Sequence, residues 1–227
     1  MTEHAIIPIQ KYIFLAISPY LFLALTNRFY NPLLYTSNQM GFWFLDVIQM
    51  LIFPFAALFI LSHYFAINPG NYGLVKPGRN YPAWEMAGAG VFVAIVLIMV
   101  STVFWYVGVI LFGREDFKFA FSLVVPEGAW HFPMVFYLAI SAGFVEEIIF
   151  RGLAWTAISE MDLGKFKKPI YVLISSLAFT AIHWEQGLAG MTSTFAFGFV
   201  AALLYLQLKN LWPMIASHTF VNVYYFW

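Results

Sequence analysis

The sequence predicts an all-α fold: a polytopic membrane helical bundle of about seven transmembrane helices, forming one domain over residues 1–227. Three observations carry that prediction. Hydrophobic residues make up 62% of the chain and charged residues only 10%, against about 25% charged in soluble domains. The mean hydropathy of +0.79 is too high for apolar residues to be confined to one face of each helix, so the outside of the bundle must be apolar as well. The apolar residues also gather in runs close to the ~20 residues a bilayer core requires, with turn-rich polar connectors between them.

The first run, within a span of about 9–26, ends in Thr26-Asn27-Arg28 and lacks a small-residue cleavage pattern, so it is expected to persist as a helix. Span two, about 43–66, carries Asp46 and Pro54, which are tolerable where they face other helices. Asn68-Pro69-Gly70-Asn71-Tyr72-Gly73 and Lys76-Pro77-Gly78-Arg79 make the next connector a loop. Span three, about 84–112, includes the most hydrophobic run, Val91 to Val100. Residues 113–130, with Arg114-Glu115-Asp116 and Pro126-Glu127-Gly128, read as an interfacial segment. Span four covers about 131–158, and the charged stretch 159–168 leads to Pro169, which suits the first turn of a helix. Spans five, six and seven follow at about 169–185, 188–208 and 211–226, so the catalytic core is expected at about 131–227.

Lys and Arg set the orientation. Lys11, Lys76, Arg79, Lys165, Lys167, Lys168 and Lys209 fall on one side of a seven-span arrangement, and only Arg28, Arg114 and Lys118 on the other. The first side is therefore expected to be cytoplasmic, together with the N-terminus. The net charge of zero gives no footprint for nucleic acid. Without Cys there is neither a disulfide nor a thiolate nucleophile or ligand.

Span four holds the residues that demand explanation: Glu146-Glu147-Ile148-Ile149-Phe150-Arg151. A charge at mid-bilayer costs roughly 2.5–3.5 kcal/mol on insertion scales, and three stand here within six residues. Glu147 and Arg151 are four apart and can pair on one helix face. Glu146 points about 100° away and has no such local partner. The small residues Ala142 and Gly143 leave room on its face for a water, a substrate backbone or another helix. Span five adds Phe179-Thr180-Ala181-Ile182-His183, and span seven adds His218 and Asn222, again four apart. Any one of these groups can be a packing or ion-pair feature; three on separate helices point to a shared site.

The chemistry available is hydrolytic. The chain has no G-x-S-x-G, no H-E-x-x-H and no Gly-rich phosphate loop. A carboxylate in an apolar site can take a proton from water, with a His to orient that water or pass the proton on. His218 and Asn222 offer N–H donors for a developing oxyanion. Alternatively Glu146, His183 and His218 suit a divalent metal such as zinc with an open position for water. Both schemes cleave an amide.

On Glu146-Glu147-x-x-x-Arg151, Phe179-x-x-x-His183 and His218-x-x-x-Asn222, in that order, the chain resembles the CPBP intramembrane proteases, which include the type II CAAX prenyl endopeptidases and the bacterial Abi proteins. The flanks Phe150-Arg151-Gly152-Leu153 and Leu211 to His218 are similar too, and the resemblance covers about residues 140–223. It implies that Glu146 and His183 activate water, that His218 and Asn222 stabilise the oxyanion, and that Glu147, Arg151 and Phe179 support the site. No cofactor is expected, because the third motif ends in Asn instead of another good ligand; zinc or another divalent ion is the alternative. The implied activity is endopeptidase cleavage of a membrane-anchored or hydrophobic peptide within the bilayer of a prokaryotic cell. Two other readings compete with it: a non-enzymatic immunity or scaffold protein, and a proton-coupled transporter using Glu146 and the His residues as a relay.

Overall fold

The structure, a computed structural model, describes residues 39–75, 82–114 and 125–226. The expected span at 9–26 and most of the 113–130 segment lie outside them. The described residues form six helices: α1 (Met40–Phe65), α2 (Ala83–Phe112), α3 (Gly128–Ser159), α4 (Lys167–Ala181), α5 (Gly187–Leu208) and α6 (Leu211–Phe226). Each coincides with one of the spans expected from sequence beyond the first. Four of them, α1, α2, α3 and the α5 helix with its leading turn from Trp184, are long and apolar enough to cross a membrane. The other two are shorter, 15 residues in α4 and 16 in α6, so a count of seven spans does not follow. Gly128–Trp130 is a 3-10 turn that runs directly into α3, and so belongs to that helix.

Burial separates an inner from an outer layer. In the most apolar window of α1 and of α2 only 17% of residues are buried, against 56% in α3 and 50% in α5. The helix that carries the paired glutamates is therefore central. Phe55 and Phe59 of α1, and Phe92, Ile95, Met99 and Ile110 of α2, present large apolar side chains outward, a surface suited to lipid rather than water. Inside, α5 packs against α2 and α4, and α6 against α2 and α3. The core between them includes Val145, Ile149, Phe150, Tyr171, Phe179, Phe197, Met214 and Val221.

Asp46 and Pro54 of the second span are both accommodated by the bundle. Pro54 has no N–H and cannot close a regular turn, and a wide π turn, Ile48–Ile52, precedes it. Asp46 lies beside Tyr137 of α3, facing a helix and not lipid.

Three connectors meet at one end of the bundle. The Leu211 N–H donates to Gly73 O (2.8 Å), the Tyr205 hydroxyl to Tyr72 O (3.2 Å) and the Thr156 hydroxyl to Asn71 O (3.2 Å). The Lys209 ammonium sits 3.3 Å above the Trp155 ring. The α1–α2, α3–α4 and α5–α6 connectors are thus on one side, the same grouping that carries the excess of Lys and Arg.

Candidate active site

The site is built outward from α3. Its regular helix ends at Glu147, and Ile148–Leu153 form a π turn, a local widening of the kind often found at functional sites. Carbonyls in this turn accept hydrogen bonds from α4: the Ser175 hydroxyl donates to Phe150 O at 2.6 Å and the Tyr171 hydroxyl to Arg151 O at 3.4 Å. These bonds fix α4, and with it Phe179 and His183, against the glutamate pair.

Glu147 and Arg151 are both 0% exposed. Arg151 Nε lies 3.3 Å from Glu147 Oε2, a contact of charges without an aligned hydrogen bond. The guanidinium instead lies 4.4 Å from the centre of the Phe179 ring and 5.8 Å from that of Phe197, and those π faces stabilise the buried cation. Phe179 therefore supports the site by carrying Arg151.

His218 joins the two glutamates. Its Nδ1 is 2.8 Å from Glu147 Oε1 and its Nε2 3.7 Å from Glu146 Oε2. A carboxylate only accepts, so Nδ1 carries the hydrogen and Nε2 faces Glu146. The ring rests against Phe197 and Phe179, at 4.8 and 5.8 Å between centres. Gly143 makes this possible. A Cβ there would lie 2.7 Å from Thr219 Oγ1 and 3.0 Å from Thr219 N, so α6 approaches α3 as closely as backbone allows. The room that small residues leave on the face of Glu146 is filled by another helix.

His183 follows α4, with its N–H bonded to Thr180 O (3.0 Å). Its Nδ1 is 2.8 Å from Phe179 O and its ring is 4.7 Å from that of Phe179. A carbonyl also only accepts, which leaves Nε2 as the basic nitrogen. Asn222 lies one turn beyond His218, partly buried. The geometry thus draws Glu146, Glu147, Arg151, Phe179 and His218 into one cluster, with His183 joined through the Phe179 ring, while Asn222 lies one turn further along α6 on the His218 face.

The fold adds one residue that the sequence motifs do not include. Glu185 lies close enough to His183 and Glu146 to interact with the charge of each, and its Oε2 is buried without a hydrogen-bond partner among the described residues. A signal for it exists in the sequence: an acid two residues after a site His, at the edge of an apolar span, meets the same cost argument that singles out Glu146. Among the described residues no three of His, Asp and Glu converge as a metal-ligand set, so Glu146, His183 and His218 do not fit an ion between them in this geometry.

The cluster therefore holds an adjacent pair of buried carboxylates in different surroundings. Glu147 is tied to Arg151 and His218. Glu146 is 7% exposed, faces a His nitrogen and accepts no hydrogen bond from the described residues. Glu147 is held on two sides, and Glu146 is met by the far nitrogen of the same His218 ring.

Neither a curated protein nor a solved structure matches the chain. Residues 128–224 match the family model described as type II CAAX prenyl endopeptidase Rce1-like. That segment runs from the start of α3 nearly to the end of α6 and contains every residue of the cluster. Over that segment, less than half of the chain, the sequence is similar to the CAAX protease family.

Proposed function

We propose that the chain is an intramembrane endopeptidase, hydrolysing a peptide bond of a membrane-associated or hydrophobic peptide through a water activated by Glu146 and His183. One observation carries this reading. Glu146 is buried in the central helix, accepts no hydrogen bond from the described residues, and faces His218 Nε2 at 3.7 Å.

The residues then divide the work. Glu146 takes a proton from water as the water oxygen adds to the amide carbon. His183, with Nδ1 donating to Phe179 O, offers Nε2 to orient that water and pass the proton on. The oxyanion that forms meets N–H donors from His218, in its protonated form, and from the Asn222 amide. Glu147 holds His218 through Nδ1, which keeps Nε2 directed at the reacting centre. As the C–N bond breaks, the departing amine takes the proton, so one water is consumed and no other reactant is needed. Arg151, carried on the Phe179 ring, holds Glu147 in place.

The substrate is expected to arrive from the bilayer, since the outer faces of α1 and α2 are apolar. The end where the three connectors meet is assigned to the cytoplasm, from its lysines Lys165, Lys167, Lys168 and Lys209.

The test is cleavage of membrane-tethered reporter peptides by purified protein in liposomes. Wild type should cut at least one peptide of a library, and Glu146→Gln, nearly the same size, should fold and insert but cut about 10²–10⁴-fold more slowly. A scaffold protein would behave identically in both forms, and that outcome sinks the reading.

A further inference from the structure

Lysines gather at the end of the bundle where the three connectors meet, and the hydrolytic scheme uses none of them. Lys165, Lys167 and Lys168 lie in the α3–α4 connector and the first turn of α4, and Lys209 follows α5. Two of them are fixed on the last turns of α3. The Lys209 ammonium sits 3.3 Å from the centre of the Trp155 ring, and the Lys167 ammonium donates to Ser159 O at 2.6 Å. Trp155 and Ser159 are four apart, so the two anchors lie one helical turn from each other on one face of α3. Lys165 and Lys168 are exposed. Glu160 and Asp162 stand in the same connector, yet none of these ammonium groups forms an ion pair with a carboxylate among the described residues. Partial burial and the charge of Lys168 lower the Lys209 ammonium to about 8, and cations crowded in this way are steadied by an anion.

The surface that adjoins this charge is apolar. Phe166 is 59% exposed between the lysines, with Lys165 Nζ 5.4 Å from its ring centre. Along α4, Leu173, Ile174 and Leu177 are each about half exposed. Leu173 and Leu177 are one turn apart and form an outward stripe with Ile174, beginning about 8 Å along the helix from Lys168. An aliphatic stripe that ends in unpaired lysines complements a molecule with hydrocarbon chains and an anionic headgroup. An acidic peptide would meet the lysines and leave the stripe uncovered.

We propose that the foot of α4 binds an anionic phospholipid, its phosphate meeting Lys165, Lys167, Lys168 and Lys209 and its acyl chains lying on Leu173, Ile174 and Leu177. The lipid ties α4 to the α5–α6 connector at their common end. It is neither substrate nor cofactor, so this site stands or falls without the hydrolase reading.

Thermal unfolding of the full chain in a neutral detergent measures the binding without any cleavage assay. Phosphatidylglycerol should raise the melting temperature about 3–6 °C above phosphatidylcholine of the same chains at low salt, and about 0.5 M salt should remove most of that difference. Lys165→Gln with Lys168→Gln should at least halve the shift, and Lys165→Arg with Lys168→Arg should keep it. If the glutamine pair does not fold, Lys168→Gln alone is measured in its place. Arg114→Gln, beyond the far end of α2, is the control and should leave the shift unchanged. Equal melting temperatures in the two lipids overturn the proposal. So does an undiminished shift in the glutamine variant, or an equal reduction in Arg114→Gln. Glycerol phosphate and a polyglutamate peptide have no acyl chains and should give no shift; either one reproducing the effect of phosphatidylglycerol overturns the lipid as occupant.

Discussion

Gly143 is where the packing of two helices and the geometry of the site become one quantity, so Gly143→Ala is the most informative structural perturbation. The added Cβ would stand 2.7 Å from Thr219 Oγ1, 3.0 Å from Thr219 N and 3.3 Å from Ile215 O. The hydroxyl can rotate away; the backbone atoms cannot. Ordinary contact begins near 3.4 Å, so the Thr219 backbone must retreat by about 0.4 Å. Thr219 is the neighbour of His218, whose Nε2 is already 3.7 Å from Glu146. Overpacking of this kind costs about 1–3 kcal/mol, partly offset by the ~1 kcal/mol that Ala gains over Gly in a helix. The predicted net loss of stability is about 0–2 kcal/mol. Activity should suffer more. A 1 Å misplacement at a catalytic centre can cost about 10²-fold, so a shift of several tenths of an ångström should lower kcat about tenfold. Gly88→Ala is the control, because nothing lies within 4 Å of a Cβ there and only the helix gain applies. Thermal unfolding in detergent and peptide cleavage in liposomes measure the two effects. If Gly143→Ala gains stability like Gly88→Ala and keeps full activity, α6 does not pack on Gly143 as described and the site geometry is wrong.

Other outcomes follow from the same contacts. Glu147→Gln leaves Arg151 buried without a counter-charge and should destabilise by about 3–5 kcal/mol, seen as a large fall in melting temperature; adding Arg151→Met should recover much of it, and no recovery would contradict the pairing. Phe179→Leu removes the ring 4.4 Å beneath the Arg151 guanidinium and should cost about 2 kcal/mol or more beyond the packing loss; the extra term should vanish in a double-mutant cycle with Arg151→Met. Treatment with a strong chelator should leave cleavage unchanged, because no metal-ligand set is arranged among the described residues; loss of activity restored by zinc would require a different geometry for Glu146, His183 and His218.

Much of the fold is legible in the sequence because the bilayer imposes a simple rule. Apolar runs of sufficient length must be helices, and Met40–Phe65, Ala83–Phe112 and Gly128–Ser159 appear where those runs lie. The Glu147–Arg151 pair is also readable, since a spacing of four is a local property of a helix. The Glu147–His218 bond is not. It joins residues 71 apart and depends on the approach that Gly143 permits, so from sequence Glu147 has only Arg151 as a visible partner. The π turn at Ile148–Leu153 leaves no mark in the apolar pattern, yet it sets how Arg151 meets Phe179 and how Ser175 and Tyr171 reach α3. Glu185 follows the last motif residue of its span, and only the turn after α4 leaves its Oε2 buried without a hydrogen-bond partner among the described residues. The short α4 and α6 show a further limit: apolar runs mark helices reliably, but not how far each one crosses.

The central claim is that water, activated at Glu146, is added across a peptide bond inside the membrane. It is tested most directly by incubating the purified chain in liposomes with a membrane-tethered peptide in oxygen-18 water and weighing the products. Wild type should release two fragments, with one heavy oxygen in the new carboxylate, and Glu146→Gln should release none above background. Equal labelled cleavage by Glu146→Gln, or no cleavage of any tethered peptide by wild type, would contradict the account.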